Sequence, residues 1–64
     1  MPKIYENIEE SEILDTAKSN MVYQEPIYVR KRGFHDWKKW CVLTLRDRCV
    51  AVYEPGAKTL TVYA

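Results

Sequence analysis

The stretch WKKWCVLTLRDRCVAVYEPGAKTLTVY, residues 37–63, decides the fold class. It holds β-branched and aromatic runs separated by short polar breaks, which is the pattern of strands joined by tight turns. Trp37 to Leu45 reads as one strand, Arg46-Asp47 as a tight turn and Arg48 to Tyr53 as the next strand. Pro55-Gly56 is the strongest turn signal in the chain: Pro is preset for the first central position of a type II turn, and Gly takes the positive φ of the second. Residues 58–64 then close as a further strand, with Leu60 and Val62 facing one way and Thr59, Thr61 and Tyr63 the other. Connections this short between consecutive strands require antiparallel neighbours.

Upstream, Val22, Tyr23, Ile27, Tyr28 and Val29 suggest a strand over residues 22–32, interrupted by Pro26, which either marks an edge or sets the true start. Gly33 supplies the bend into the next strand. Before it, Ile13, Leu14, Ala17 and Met21 fall on one face at helical spacing, with Glu9, Glu10 and Glu12 in the first turn and Lys18 in the last, as the helix dipole favours. Asn7, three residues before Glu10, resembles a capping box, so a helix over about residues 8–19 is predicted, with Asn20 as its stop. A helix of about three turns is unstable alone and must dock its apolar stripe. The expected architecture is α+β in a single domain, residues 1–64: a short N-terminal helix followed by a four-stranded antiparallel meander over about 22–32, 37–45, 48–53 and 58–64. The final strand carries little charge and is the edge expected to pair if the chain dimerises.

Composition bounds the rest. Apolar residues make up 47% and charged residues 30%, which fits a folded chain rather than a disordered one. The net charge of +1 conceals a division. Residues 1–25 hold two lysines against six acids, a balance of −4, whereas residues 26–64 hold eight lysines and arginines against three acids, a balance of +5. Such a division marks either a segment that packs against, or competes for, an oppositely charged surface, or two solvated faces that simply differ. Cys41 and Cys49 are too few for a disulfide framework and have no partners at zinc spacing, so both are expected as reduced, buried thiols, with no metal or cofactor. The opening residues lack the apolar run of a leader, and a cytoplasmic location is expected.

Catalytic chemistry is hard to assemble from these residues. His35 is the only histidine, and its neighbour Asp36 points the other way in extended chain. Ser11 and Ser19 lie on or beside the helix without a nucleophile elbow, and two glycines do not make a phosphate-cradling loop. Glu9 and Glu12 suit the helix dipole. No enzyme is expected. Tyr5-Glu6-Asn7-Ile8 has the form of a short phosphotyrosine motif, but its residues also serve the helix start.

The segment that concentrates binding chemistry is VRKRGFHDWKKWCVL, residues 29–43. Arg30, Lys31 and Arg32 lead into the predicted loop, Phe34 and His35 occupy its tip, and Lys38 and Lys39 lead out to Trp40. Convergent cations attract phosphates and carboxylates; the same residues also keep a strand edge from pairing with other chains. Trp37 and Trp40, three apart, point to opposite faces of a regular strand, so one belongs to the core and the other is more exposed, as an interface anchor or base-stacking residue.

Residues 27–60 resemble the N-terminal half of a pleckstrin homology domain. The resemblance rests on Lys31-Arg32-Gly33 after an apolar strand, Trp37-Lys38-Lys39, the aromatic-led strand Trp40-Cys41-Val42-Leu43, and a third strand ending in Tyr53. It implies a β-rich fold and binding of phosphoinositide headgroups through Lys31 and Lys38, with Arg32 and Lys39 beside them. The spacing of the aromatics departs from that family by one residue, and the chain spans half of such a fold.

The expected function is that of a small non-enzymatic binding protein, an inhibitor or adaptor of the kind phages and mobile elements encode. It would engage a macromolecular partner, first of all a protein, through Arg30, Lys31, Arg32, Phe34, His35, Lys38, Lys39 and Trp40. The alternatives are a partial pleckstrin-like module on an anionic lipid headgroup and a single-stranded nucleic-acid binder.

Overall fold

The computed structural model describes residues 2–32 and 38–63. Within these residues an α-helix and a sheet of five antiparallel strands form two layers. Strand β1 is Lys3–Tyr5, β2 Ile27–Arg30, β3 Trp40–Thr44, β4 Cys49–Glu54 and β5 Thr59–Val62. In space they run β1-β5-β4-β3-β2. The α+β class and the β2-to-β5 meander follow the sequence pattern. The strand count does not: a fifth strand precedes the helix, and it lies outside β5 with Lys3 opposite Val62 and Tyr5 opposite Leu60. The last strand is therefore interior rather than an edge.

The helix is shorter than its pattern suggests. A 3-10 turn over Glu10–Glu12 leads into α1, Ile13–Ser19. Asn7 is not the cap. Its φ of 57° places it in the left-handed region, which Asn tolerates better than most residues, and there it turns the chain from β1 back over the sheet. The capping arrangement sits two residues later, where the Glu12 side chain accepts from the Glu9 amide at 3.0 Å. Asn20 does end the helix: its amide donates to the Ala17 carbonyl at 3.1 Å, and its side chain donates to the Thr16 carbonyl at 2.9 Å. The same side chain accepts the Tyr5 hydroxyl at 3.0 Å, so the helix end is tied to β1.

The apolar stripe docks as its spacing requires. Ile13 and Ala17 are fully buried, and Leu14 and Met21 pack half-buried against the same core. The sheet offers them Leu60 and Val62, Tyr53 and Ala51, Val42, and Ile27, which the register aligns across four strands. Burying a side chain such as Ile13 or Leu60 contributes about 1.5–3 kcal/mol. The register shifts between Val42 and Leu43: Val42 opposes Ala51 but Leu43 opposes Cys49. The extra residue on β4 is Val50, and this bulge lets Val50 and Ala51 both enter the helix-side core.

Two further expectations change. Val22 and Tyr23 are not strand but exposed connection, because β2 starts directly after Pro26. Gly56 does not take a positive φ; Lys58 does, at 52°, in a four-residue loop between the paired residues Glu54 and Thr59. The Lys58 amide closes that loop on the Pro55 carbonyl at 3.3 Å. At the β3–β4 turn Asp47 is left-handed as well, with φ 59°. Buried Thr44 organises this turn, its hydroxyl oxygen accepting from the amides of Arg46 and Arg48 at 3.3 and 3.2 Å.

Candidate interaction surface

Strand alternation divides the cations of the β2–β3 hairpin between the two faces of the sheet. Arg30 stands directly opposite Cys41, on the face away from the helix, and is half-buried. Lys31, the next residue, goes the other way. Its Nζ lies 2.8 Å from a Glu10 carboxylate oxygen and 5.1 Å from the centroid of the Trp40 ring. Trp40 is half-buried against the helix-side core, with its ring 5.6 Å from that of Tyr53 and inclined by 50°. A continuous path therefore runs from Glu10 through Lys31 and Trp40 to Tyr53, whose hydroxyl donates to the Ile8 carbonyl at 2.6 Å. The Lys31 side chain is 64% exposed, so its ion pair contributes at most about 1 kcal/mol and its place over the ring a similar amount. These contacts orient Lys31 more than they hold the fold.

Arg32, Lys38 and Lys39 are exposed where the hairpin leaves the sheet. The Arg32 amide donates to the Arg30 carbonyl at 2.7 Å, a tight bend that carries the chain off β2. Phe34, His35 and Trp37 lie outside the described residues. Of the sequence-derived site residues, the structure thus brings Lys31 and Trp40 together and places Arg30 on the opposite face. The charge division of the sequence is used internally: Glu10 takes Lys31, and Glu9 takes Lys58 at 2.8 Å.

The face away from the helix is the feature that sequence reading missed. Cys41 and Leu43 are buried there although no helix lies over them, and Arg30, Cys49, Val52 and Thr61 surround them half-buried. Both cysteines are free. Cys41 is buried as expected, but Cys49 only in part; its thiol donates to the Ala51 carbonyl at 3.3 Å. Partial burial pushes that thiol above its ordinary pKa, and the neighbouring Cys41 adds to the rise. Tyr28 and Tyr63 rim the face, with the Tyr28 hydroxyl donating to Asp47 at 3.1 Å. At the far end of the molecule Val22 and Tyr23 are 89% and 82% exposed, along a groove of about 290 Å³ shared with Met21, Glu25, Arg48 and Val50. The β-branched and aromatic character of Val22 and Tyr23 suggested a strand, which obscured this exposure.

Among the described residues no group of three or more His, Cys, Asp or Glu side chains is arranged to hold a metal ion, and no helix is long and apolar enough to cross a membrane. Comparisons with protein-family models, curated proteins and solved structures found no match to this chain.

Proposed function

We propose that the chain is a small non-enzymatic binding protein whose basic β2–β3 hairpin end docks on an acidic surface of a protein partner. The observation that supports this reading is the placing of charge. Arg32, Lys38 and Lys39 are exposed on the two arms of the β2–β3 hairpin, beside the exposed Lys31. Exposed cations of this kind steer association and set its salt dependence. Trp40, held beneath Lys31, gives the patch a rigid aromatic floor, a residue type enriched in interface anchors.

The test is affinity capture of partners on the immobilised chain, compared with a variant carrying Arg32→Glu, Lys38→Glu and Lys39→Glu. All three positions are exposed, and circular dichroism checks that the variant keeps the fold. A specific protein retained by the parent and lost from the variant supports the reading; equal retention by both overturns it. Two other ligands are distinguished in parallel. Sedimentation with phosphoinositide vesicles that is abolished by Lys31→Ala with Lys38→Ala would transfer the site to an anionic headgroup. Oligonucleotide binding that weakens steeply with salt would transfer it to nucleic acid.

A further inference from the structure

Two thiols lie on the face of the sheet that the helix does not cover, and the proposed function uses neither. Cys41 on β3 opposes Val52, and Cys49 on β4 opposes Leu43, so the two cysteines are diagonal neighbours on one face. In a regular ladder such neighbours stand about 7–8 Å apart, near the limit that a disulfide spans. Here the bulge at Val50 falls between the two pairs and tightens the local twist, and the two thiols interact directly. Their surroundings differ. Cys41 is 3% exposed, whereas Cys49 is open to solvent in part. Arg30 stands opposite Cys41, and its charge favours the Cys49 thiolate, against the opposing effect of burial.

We propose that Cys41 and Cys49 are an oxidation site, which a peroxide converts into an intramolecular disulfide between β3 and β4 and a thiol reductant reopens. Cys49 is the entry point, since it is the accessible member of the pair. Its thiolate attacks one peroxide oxygen, the O–O bond breaks, and hydroxide leaves with the electron pair, so Cys49 becomes a sulfenic acid. The Cys41 thiol then attacks that sulfur; the S–S bond forms, the S–O bond breaks, and the oxygen departs as water with the Cys41 proton. The hydroxide takes the proton that Cys49 gave up and becomes the second water. Two thiols have lost two electrons, and the peroxide has gained them. Burial keeps most of the Cys49 thiol protonated at neutral pH, so the first step is slow. The second is fast by comparison, because the partner thiol is already in place. That contact ends the oxidation at the disulfide rather than at a sulfinic acid, and the bond fixes β3 to β4 at the register shift between them.

Peptide mapping of the full chain after treatment with hydrogen peroxide tests this. Trypsin cuts after Lys39, Arg46, Arg48 and Lys58, so Cys41 and Cys49 fall in separate peptides, residues 40–46 and 49–58. After oxidation at low protein concentration and blocking of the remaining thiols, the two peptides should be recovered joined. They should come from a chain that has lost two hydrogens and remains monomeric, and dithiothreitol should restore both thiols. Cys41→Ser should instead carry Cys49 on to the sulfinic acid, read as a gain of two oxygens at that residue. Peptides recovered unjoined, whether Cys49 has gained oxygen or both thiols have resisted excess peroxide, overturn the proposal. A disulfide that links only separate chains overturns it as well. These outcomes are read on the parent chain and do not depend on how Cys41→Ser folds. In a folded Cys41→Ser chain, a Cys49 that stays unoxidised rules out the entry point and overturns the proposal too.

Discussion

Tyr53 shows how much one side chain holds together here. It is 2% exposed, its ring meets Trp40, and its hydroxyl supplies a donor to the Ile8 carbonyl at 2.6 Å. The Ile8 amide in turn donates to the Lys58 carbonyl at 2.9 Å, so the segment before the helix is fastened to the sheet at both backbone groups. Tyr53→Phe keeps the ring and strands a buried carbonyl, which should cost about 1–3 kcal/mol in urea unfolding. The same residue enters the pH dependence. Burial, followed by the charge of Glu9, lifts the Tyr53 phenol above its ordinary 10.0. Burial lifts the Cys49 thiol above 9.0. The bond to Asp47 lifts Tyr28 above 10.0, and the bond to Glu9 lifts Lys58 above 10.5. In every case the folded chain holds its proton more tightly than the unfolded one, so the stabilisation is complete below the unfolded pKa and is lost as pH rises through the folded value. These four groups should make stability fall as the pH rises above about 9. Urea midpoints across the alkaline range check this, and the fall should be shallower in Tyr53→Phe; an equal slope would remove Tyr53 from the account.

Among the elements, turns depend on groups that periodicity does not register. Thr44 sits at the end of a strand whose pattern asks only for a residue of that size, yet its hydroxyl oxygen receives two turn amides. Thr44→Val is close to isosteric and should cost about 1–2 kcal/mol, with the loss visible as faster amide exchange at Arg46 and Arg48. Asn7 makes the same point at the other end of the chain. With φ at 57°, Asn7→Gly should be close to neutral, whereas Asn7→Val should cost about 1–2 kcal/mol by forcing a β-branched residue into the left-handed region; similar losses from both would argue for a capping role instead. These cases mark what was legible. Alternation placed Leu60 and Val62 in the core, and helical spacing did the same for Ile13 and Ala17, because burial on one face writes itself into composition. β1 left no such trace: three residues, two of them exposed, owe their strand state to β5 rather than to their own pattern. The cations of the hairpin were visible as a cluster, but whether each faces the helix or the other side depends on register. That is why Trp40, which suggested an interface anchor, is found packed on Tyr53 under Lys31.

At the scale of the whole molecule, the closing contact is between the first strand and the last. A domain of 64 residues has little stability to spare, roughly 3–10 kcal/mol in all. β1 nonetheless spends chain to cover β5, bonding across Lys3–Val62 and Tyr5–Leu60 and anchoring the helix end through Tyr5 and Asn20. Removing residues 1–6 should therefore have two separable effects. The first is a lower urea midpoint, from the lost Tyr5 packing and hydrogen bond. The second is association into large, polydisperse species, because Thr59–Val62 becomes an uncharged, β-prone edge with unpaired backbone groups. Thr61 lies on the face away from the helix and is half-buried, so Thr61→Lys in the shortened chain places a charge on the new edge without entering the main core. It should restore a discrete species in sedimentation velocity while leaving the urea midpoint low. If the lysine restores neither, association comes from partial unfolding; if the shortened chain stays discrete without it, β1 contributes packing alone and the protection of β5 lies elsewhere.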